Sequence, residues 1–111
     1  MNVNFNGYGE NVLTFIADDS LTTAGVLVKI SADGTVAPCK SGDKFCGVCV
    51  GVRDGYAAVQ LSGYVVMPVT AKIAVGYKTL VTGDDGVVVA GASGREHLVL
   101  NSTDTEVGFI L

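Results

Sequence analysis

Tryptophan is absent from this chain of 111 residues, histidine occurs once and proline twice, and only seven residues are lysine or arginine. Those seven (Lys29, Lys40, Lys44, Arg53, Lys72, Lys78, Arg95) are never adjacent. Nucleic-acid binding requires a basic patch to neutralise phosphates, so the net charge of −4 and this scatter exclude it. No run is long and apolar enough for a membrane helix, which needs about 20 residues. The longest uncharged stretch, 56–71, is interrupted by Gln60, Ser62, Gly63 and Pro68. The opening MNVNFNGYGE has neither a basic region nor an apolar one, so no secretory signal is expected and synthesis in a reducing cytosol follows. Three cysteines, an odd number, read as free thiols rather than a disulfide framework. Charged residues make up only 16%, too few for a disordered chain with 49% apolar content.

What is abundant points to strands and turns. Valine supplies 19 residues, threonine nine and isoleucine four; these β-branched side chains are stiff at χ1 and suit a pleated surface. Glycine supplies 15 more, the residue of positive-φ turn positions. Three Asp-Gly dipeptides, Asp33-Gly34, Asp54-Gly55 and Asp85-Gly86, each divide two β-rich runs. That pattern predicts three hairpins with two-residue type I′ turns. The flanking runs alternate. Cys46, Val48, Val50 and Val52 are expected on one face of a strand, with Gly47, Cys49 and Gly51 forming a small-residue face behind. In Tyr56–Leu61 the predicted faces are Tyr56, Ala58, Gln60 and Ala57, Val59, Leu61. No long segment has helical periodicity, and only 69–75 offers room for a single helical turn.

The segments 24–61 and 75–111 share a plan: a Gly-opened strand (Gly25, Gly76), an Asp-Gly turn, a Ser-Gly, then an apolar strand ending in Leu. A spacing of about 50 residues in two copies predicts a pseudo-twofold barrel or sandwich rather than a solenoid. Residues 1–20 stand outside this plan as an N-terminal arm plus a first strand, Val12–Ala17, leaving 21–111 as a single β domain. The expected fold is all-β, a small barrel or β-tulip-like sandwich of about eight strands built from hairpins, with little helix.

The residues that bear chemistry do not assemble in the sequence. His97 with Cys39, Cys46 or Cys49 would be the components of a thiol–imidazole pair, but no orienting third group is apparent, and His97 reads as an ordinary polar residue at a strand end. The spacing Cys46-x-x-Cys49 matches metal knuckles and redox motifs only where a turn aligns the sulfurs. In a strand, residues three apart face opposite ways, so these two are expected to diverge as small buried thiols. Asp33, Asp54 and Asp85 belong to their turns, and Asp18-Asp19 and Asp104-x-Glu106 read as edge charges. No catalytic residue, metal site or cofactor is expected. VVMPVTAK carries its lysine five residues beyond the methionine, unlike the modified-lysine turn of biotinyl carrier domains.

The runs AGVLVKISADGTVAPC, FCGVCVGVRDG, VQLSGYVVMPV and VGYKTLVTGDDGVVVA together resemble the small head-decoration proteins of tailed bacteriophages, including the lambda-type stabilisers and head-fibre families. The likeness rests on pattern and spacing and extends from about residue 20 to the end of the sequence. It implies a non-enzymatic virion protein, made in the host cytoplasm, that binds the major capsid protein on the capsid exterior and stabilises the expanded head. Lambda-type members imply a homo-trimer, fibre-type members a monomer; neither implies nucleic acid or membrane as a partner. Phe5, Tyr8, Phe15 and Ile16 are the candidate capsid-interface residues, as aromatic and aliphatic anchors of the arm. The alternatives are a tail or baseplate β-barrel of the same virion, and a cysteine-dependent enzyme or metal-binding domain using the three thiols and His97.

Overall fold

The computed structural model describes residues 11–111, and every structural statement below concerns those residues. Ten strands follow one another: β1 Asn11–Ala17, β2 Leu27–Ala32, β3 Thr35–Pro38, β4 Gly47–Arg53, β5 Tyr56–Ser62, β6 Tyr64–Pro68, β7 Gly76–Thr82, β8 Val88–Ala90, β9 Glu96–Ser102 and β10 Glu106–Ile110. The fold is all-β, with more strands than the eight expected. The three Asp-Gly dipeptides do join hairpins, β2–β3, β4–β5 and β7–β8. Only one has the plain geometry predicted. Asp54 and Gly55 both take positive φ (52° and 82°) between the paired Arg53 and Tyr56, as a type I′ turn requires. At the first, Gly34 is at positive φ and Asp33 is not. At the third, Asp85 and Gly86 lie in a longer loop with a short 3-10 turn, Asp84–Gly86, closed by Gly83 N donating to Val87 O. That is the short turn of helical character; 69–75 forms none, because Val69 and Ile73 are both drawn into the core from an irregular crossing.

Strands β1 to β5 close into a barrel in the order β1-β3-β2-β4-β5, and β6 to β10 form a sheet in the order β6-β10-β9-β7-β8. Read the other way round from β1, the closed order is β1-β5-β4-β2-β3, and replacing each strand by the one five places later gives the second order. The repeat is therefore real, and it includes β1 and β6, which the sequence pattern left out. Register confirms it. Val48↔Gln60, Cys49↔Val59, Gly51↔Ala58 and Val52↔Ala57 between β4 and β5 recur as Leu98↔Ile110, Val99↔Phe109, Asn101↔Gly108 and Ser102↔Val107 between β9 and β10. Both ladders carry a bulge at the same place, Val50 and Leu100. The two halves differ at closure. The two-residue parallel bridge Ile16↔Thr35, Ala17↔Val36 ties β1 to β3, whereas β6 and β8 are not paired.

The bulge corrects the predicted faces of β4. An extra residue shifts the alternation by one, so Val50 is exposed and Val52 turns to the same side as Cys49. Val28, Val36, Cys49, Ala57, Val59 and Leu21 fill the barrel, with Phe15, Val52 and Leu61 packed against them. The outward residues Leu27 and Val48, a directly opposed pair, instead join the second core with Phe45, Val65, Met67, Leu80, Val99, Val107 and Phe109. One face of the second sheet thus covers the outer wall of the first barrel at Leu27 and Val48. Strand β5 alternates as predicted, with Ala57 and Val59 fully buried and Tyr56 exposed.

Candidate interaction surface

Of the four anchor candidates, Phe5 and Tyr8 lie outside the described residues. Phe15 and Ile16 are neighbours on β1 and face opposite ways. Phe15 packs against the barrel core, while Ile16 is 51% exposed. Ile16 is paired across the ladder with Tyr56, itself 56% exposed, so the two form one apolar strip on the barrel exterior. Beside it a groove of about 280 Å³ is lined by Thr14, Gly51, Val52, Arg53, Tyr56, Ala57 and Ala58. The groove exists because Gly51 and Ala58, cross-strand partners, have almost no side chain to fill the outer face. Tyr56 and the bulged Val50 were not singled out as surface residues by the sequence, although Tyr56 was placed opposite the buried Ala57 and Val59. The bulge itself left no sequence signal, since GVCVGVR alternates without interruption.

The first half of β1 has a second property. Because the parallel bridge begins at Ile16↔Thr35, β3 runs away from residues 12–15, and that edge of β1 has no strand beside it among the described residues. Leu13 points to the same side as Phe15 and Val59 yet is 56% exposed, since the barrel wall is open there. Exposed Val12 continues the apolar surface. An unpaired strand edge flanked by exposed aliphatics is a template for another strand.

The thiols and the histidine occupy structural positions. Strand β4 begins only at Gly47, so Cys46 precedes it, and both Cys46 and Cys49 pack on the barrel core. They are small, free thiols set among apolar residues, as expected. Cys39 packs instead against the second core. Burial pushes the Cys39 thiol above its ordinary pKa, partly offset by the Thr82 hydroxyl beside it, and burial likewise raises Cys46. His97 lies at the start of a strand, β9, as expected, but it is a core residue there and only 4% exposed. Its ring stacks on Phe45 at 5.1 Å and meets Phe109 edge-on at 5.5 Å. Nδ1 lies 3.0 Å from the Ile110 carbonyl, which can only accept, so Nδ1 carries the proton. Burial, opposed by this bond, lowers the His97 pKa below that of a free imidazole, and Arg95 lowers it further. The described His, Cys, Asp and Glu side chains include no group of three positioned for a metal ion.

A polar clasp joins the halves. Asp43 accepts from Lys29 Nζ at 2.6 Å and from Lys40 N at 2.8 Å, which holds the Asp43 carboxyl below its ordinary pKa. The loop so fixed reaches β7, where Gly42 N donates to Thr82 O and Thr82 N donates to Asp43 O. With the geometry in hand, comparison with protein-family models finds no match, and comparison with curated proteins finds none.

Proposed function

We propose that this chain is a non-enzymatic structural protein of a tailed-phage virion that binds the major capsid protein on the outside of the head and stabilises the expanded shell. The observation that carries this reading is the apolar surface of β1 and β5, with Val12, Ile16 and Tyr56 exposed on the outer face and Leu13 exposed on the other, beside a strand edge that has no strand next to it among the described residues. Such an edge takes up a strand of a partner through backbone hydrogen bonds, and the flanking side chains give that docking its specificity. Phe5 and Tyr8 precede this edge in the sequence and serve as further anchors. A protein that binds the expanded shell better than the unexpanded one stabilises it by mass action, with no chemical step. The acidic balance of the chain suits a place on the exterior, away from packaged DNA.

The test is co-sedimentation with expanded, undecorated heads of the source phage, together with the disruption temperature of the particles. Saturable binding and a raised disruption temperature support the reading. Deleting residues 1–10, or making Ile16→Asp, is expected to abolish binding while leaving the circular-dichroism spectrum and melting temperature of the free protein essentially unchanged. Absence of binding to heads, with retention on purified tails, would move the protein to a tail or baseplate position.

A further inference from the structure

The repeat gives each outward position of the first half an equivalent in the second, and at the groove beside Tyr56 the two halves differ. One side of the groove is the row Gly51, Ala58 and Thr14 across β4, β5 and β1. Its counterpart in the second half is Asn101, Gly108 and Val66 across β9, β10 and β6. There the space is filled. Tyr64 sends its phenol over Gly108, so closely that a Cβ on Gly108 would run into the ring and its hydroxyl. Asn101 Nδ2 donates to that hydroxyl at 3.2 Å. The position equivalent to Tyr64 is Val12, which pairs with Gln60 as Tyr64 pairs with Ile110. Valine is too short to reach across. Gly51 stands where Asn101 stands, and a Cβ there would meet nothing within 4 Å. The first half thus keeps open, at about 280 Å³, the place that the second half fills with its own tyrosine.

We infer, resting on the reading of β1 as a docking edge, that this groove receives an aromatic side chain carried by the partner strand. Two observations select that occupant. The first is shape: the equivalent backbone arrangement in the same chain already holds a phenol ring on its outer face. The second is position. Thr14 belongs both to the groove and to the edge of β1 with no strand beside it among the described residues. A strand added there lies about 4.8 Å from β1, and its residue opposite Thr14 shares the outward face. A ring at that position extends over Thr14 towards Ala58. Because Ala58 carries a methyl where Gly108 has none, the ring rides higher than that of Tyr64 and leans towards the bare Gly51. Arg53 and Tyr56 border the other side. The Arg53 guanidinium, exposed and only loosely paired with Asp54 at 3.7 Å, is free to lie against the ring face. Gly51 supplies no side-chain partner for a phenol hydroxyl, so the groove accepts phenylalanine as well as tyrosine.

The experiment is a titration of p-cresol, the tyrosine side chain as a free molecule, into the 15N-labelled full chain, followed by amide chemical shifts. Expected are saturable shifts centred on Thr14, Gly51 and Ala58, with a Kd on the order of millimolar for so small a ligand. Ala58→Leu and Gly51→Val both fill the groove, and each is expected to weaken p-cresol binding at least about tenfold. Gly51→Val places its side chain where nothing stands in the way, so it keeps the test decisive even where Ala58→Leu impairs folding. The affinity for expanded heads is expected to fall by a similar factor in Gly51→Val. Shifts that are absent, or that lie elsewhere on the surface, overturn the inference. So does a folded Gly51→Val variant that binds p-cresol or heads as the parent does. A parent chain that takes p-cresol in the groove but fails on heads supports the inference and removes only the capsid as the partner.

Discussion

Gly47 and Gly51 lie on one strand four residues apart, and replacing each by alanine is expected to move stability in opposite directions. A Cβ at Gly47 would run into the Gln60 carbonyl oxygen of the neighbouring strand and stand 2.9 Å from Val59 Cγ1. The first obstacle is backbone inside a closed barrel, and Val59 is fully buried, so neither can step aside without shifting β5. Overpacking of this kind costs about 1–3 kcal/mol. For a domain of this size a destabilisation of 1 kcal/mol lowers Tm by roughly 4–6 °C, so Gly47→Ala is expected to melt about 4–18 °C below the parent. At Gly51 a Cβ meets nothing within 4 Å, and the backbone is not in the left-handed region. There alanine reduces the entropy of the unfolded chain and is expected to stabilise by about 0.4–1 kcal/mol. Urea unfolding of both variants, with the slope checked for constancy, measures the two values directly. If Gly47→Ala lies within about 0.5 kcal/mol of the parent, or if both variants shift in the same direction, the close approach of β4 to β5 argued here is refuted.

His97 has a lowered pKa in the folded protein, so the unfolded chain binds its proton more readily. Its contribution is complete above the ordinary imidazole value and is lost as the pH falls through that value toward the folded one. Stability should therefore decline on acidification from pH 7 toward 5, and His97→Phe, which keeps a ring against Phe45 and Phe109, should flatten that decline; an equal slope in the variant would count against it. The Thr82 hydroxyl is buried without a hydrogen-bond partner, with the Cys39 thiol beside it. Thr82→Val is accordingly expected to stabilise by about 1 kcal/mol in thermal or urea unfolding, because a buried unsatisfied hydroxyl is removed at nearly constant shape. A loss of stability would instead show the hydroxyl bonded to Cys39.

Local chemistry made much of this architecture legible in advance. Asp54-Gly55 announces its turn because only residues that tolerate positive φ fit there, and the β-branched runs on either side commit to strands by stiffness alone. The twofold plan was visible because repeated turns carry repeated residues. Its true extent was hidden: β1 and β6 share no sequence likeness, and only their common pairing, with β5 and with β10, shows them to be the same element. Likewise GVCVGVR contains nothing to mark Val50 as a bulge, since a bulge is a property of two strands in register.

Which apolar residues become interior was decided later still. Leu27 and Tyr77 occupy the same position in the two units, both large and apolar, both opposite an aliphatic partner. One is buried and the other exposed because the second unit packs over the first, and no described residue packs over Tyr77 in the same way. His97 and Phe45 show the same limit, since their stacking joins segments that no local pattern relates. Sequence fixes turn chemistry, strand propensity and the alternation of faces, all of which act between neighbours along the chain. Coverage depends on how the two halves stack, a contact between residues distant in sequence, and that the tertiary structure alone decides.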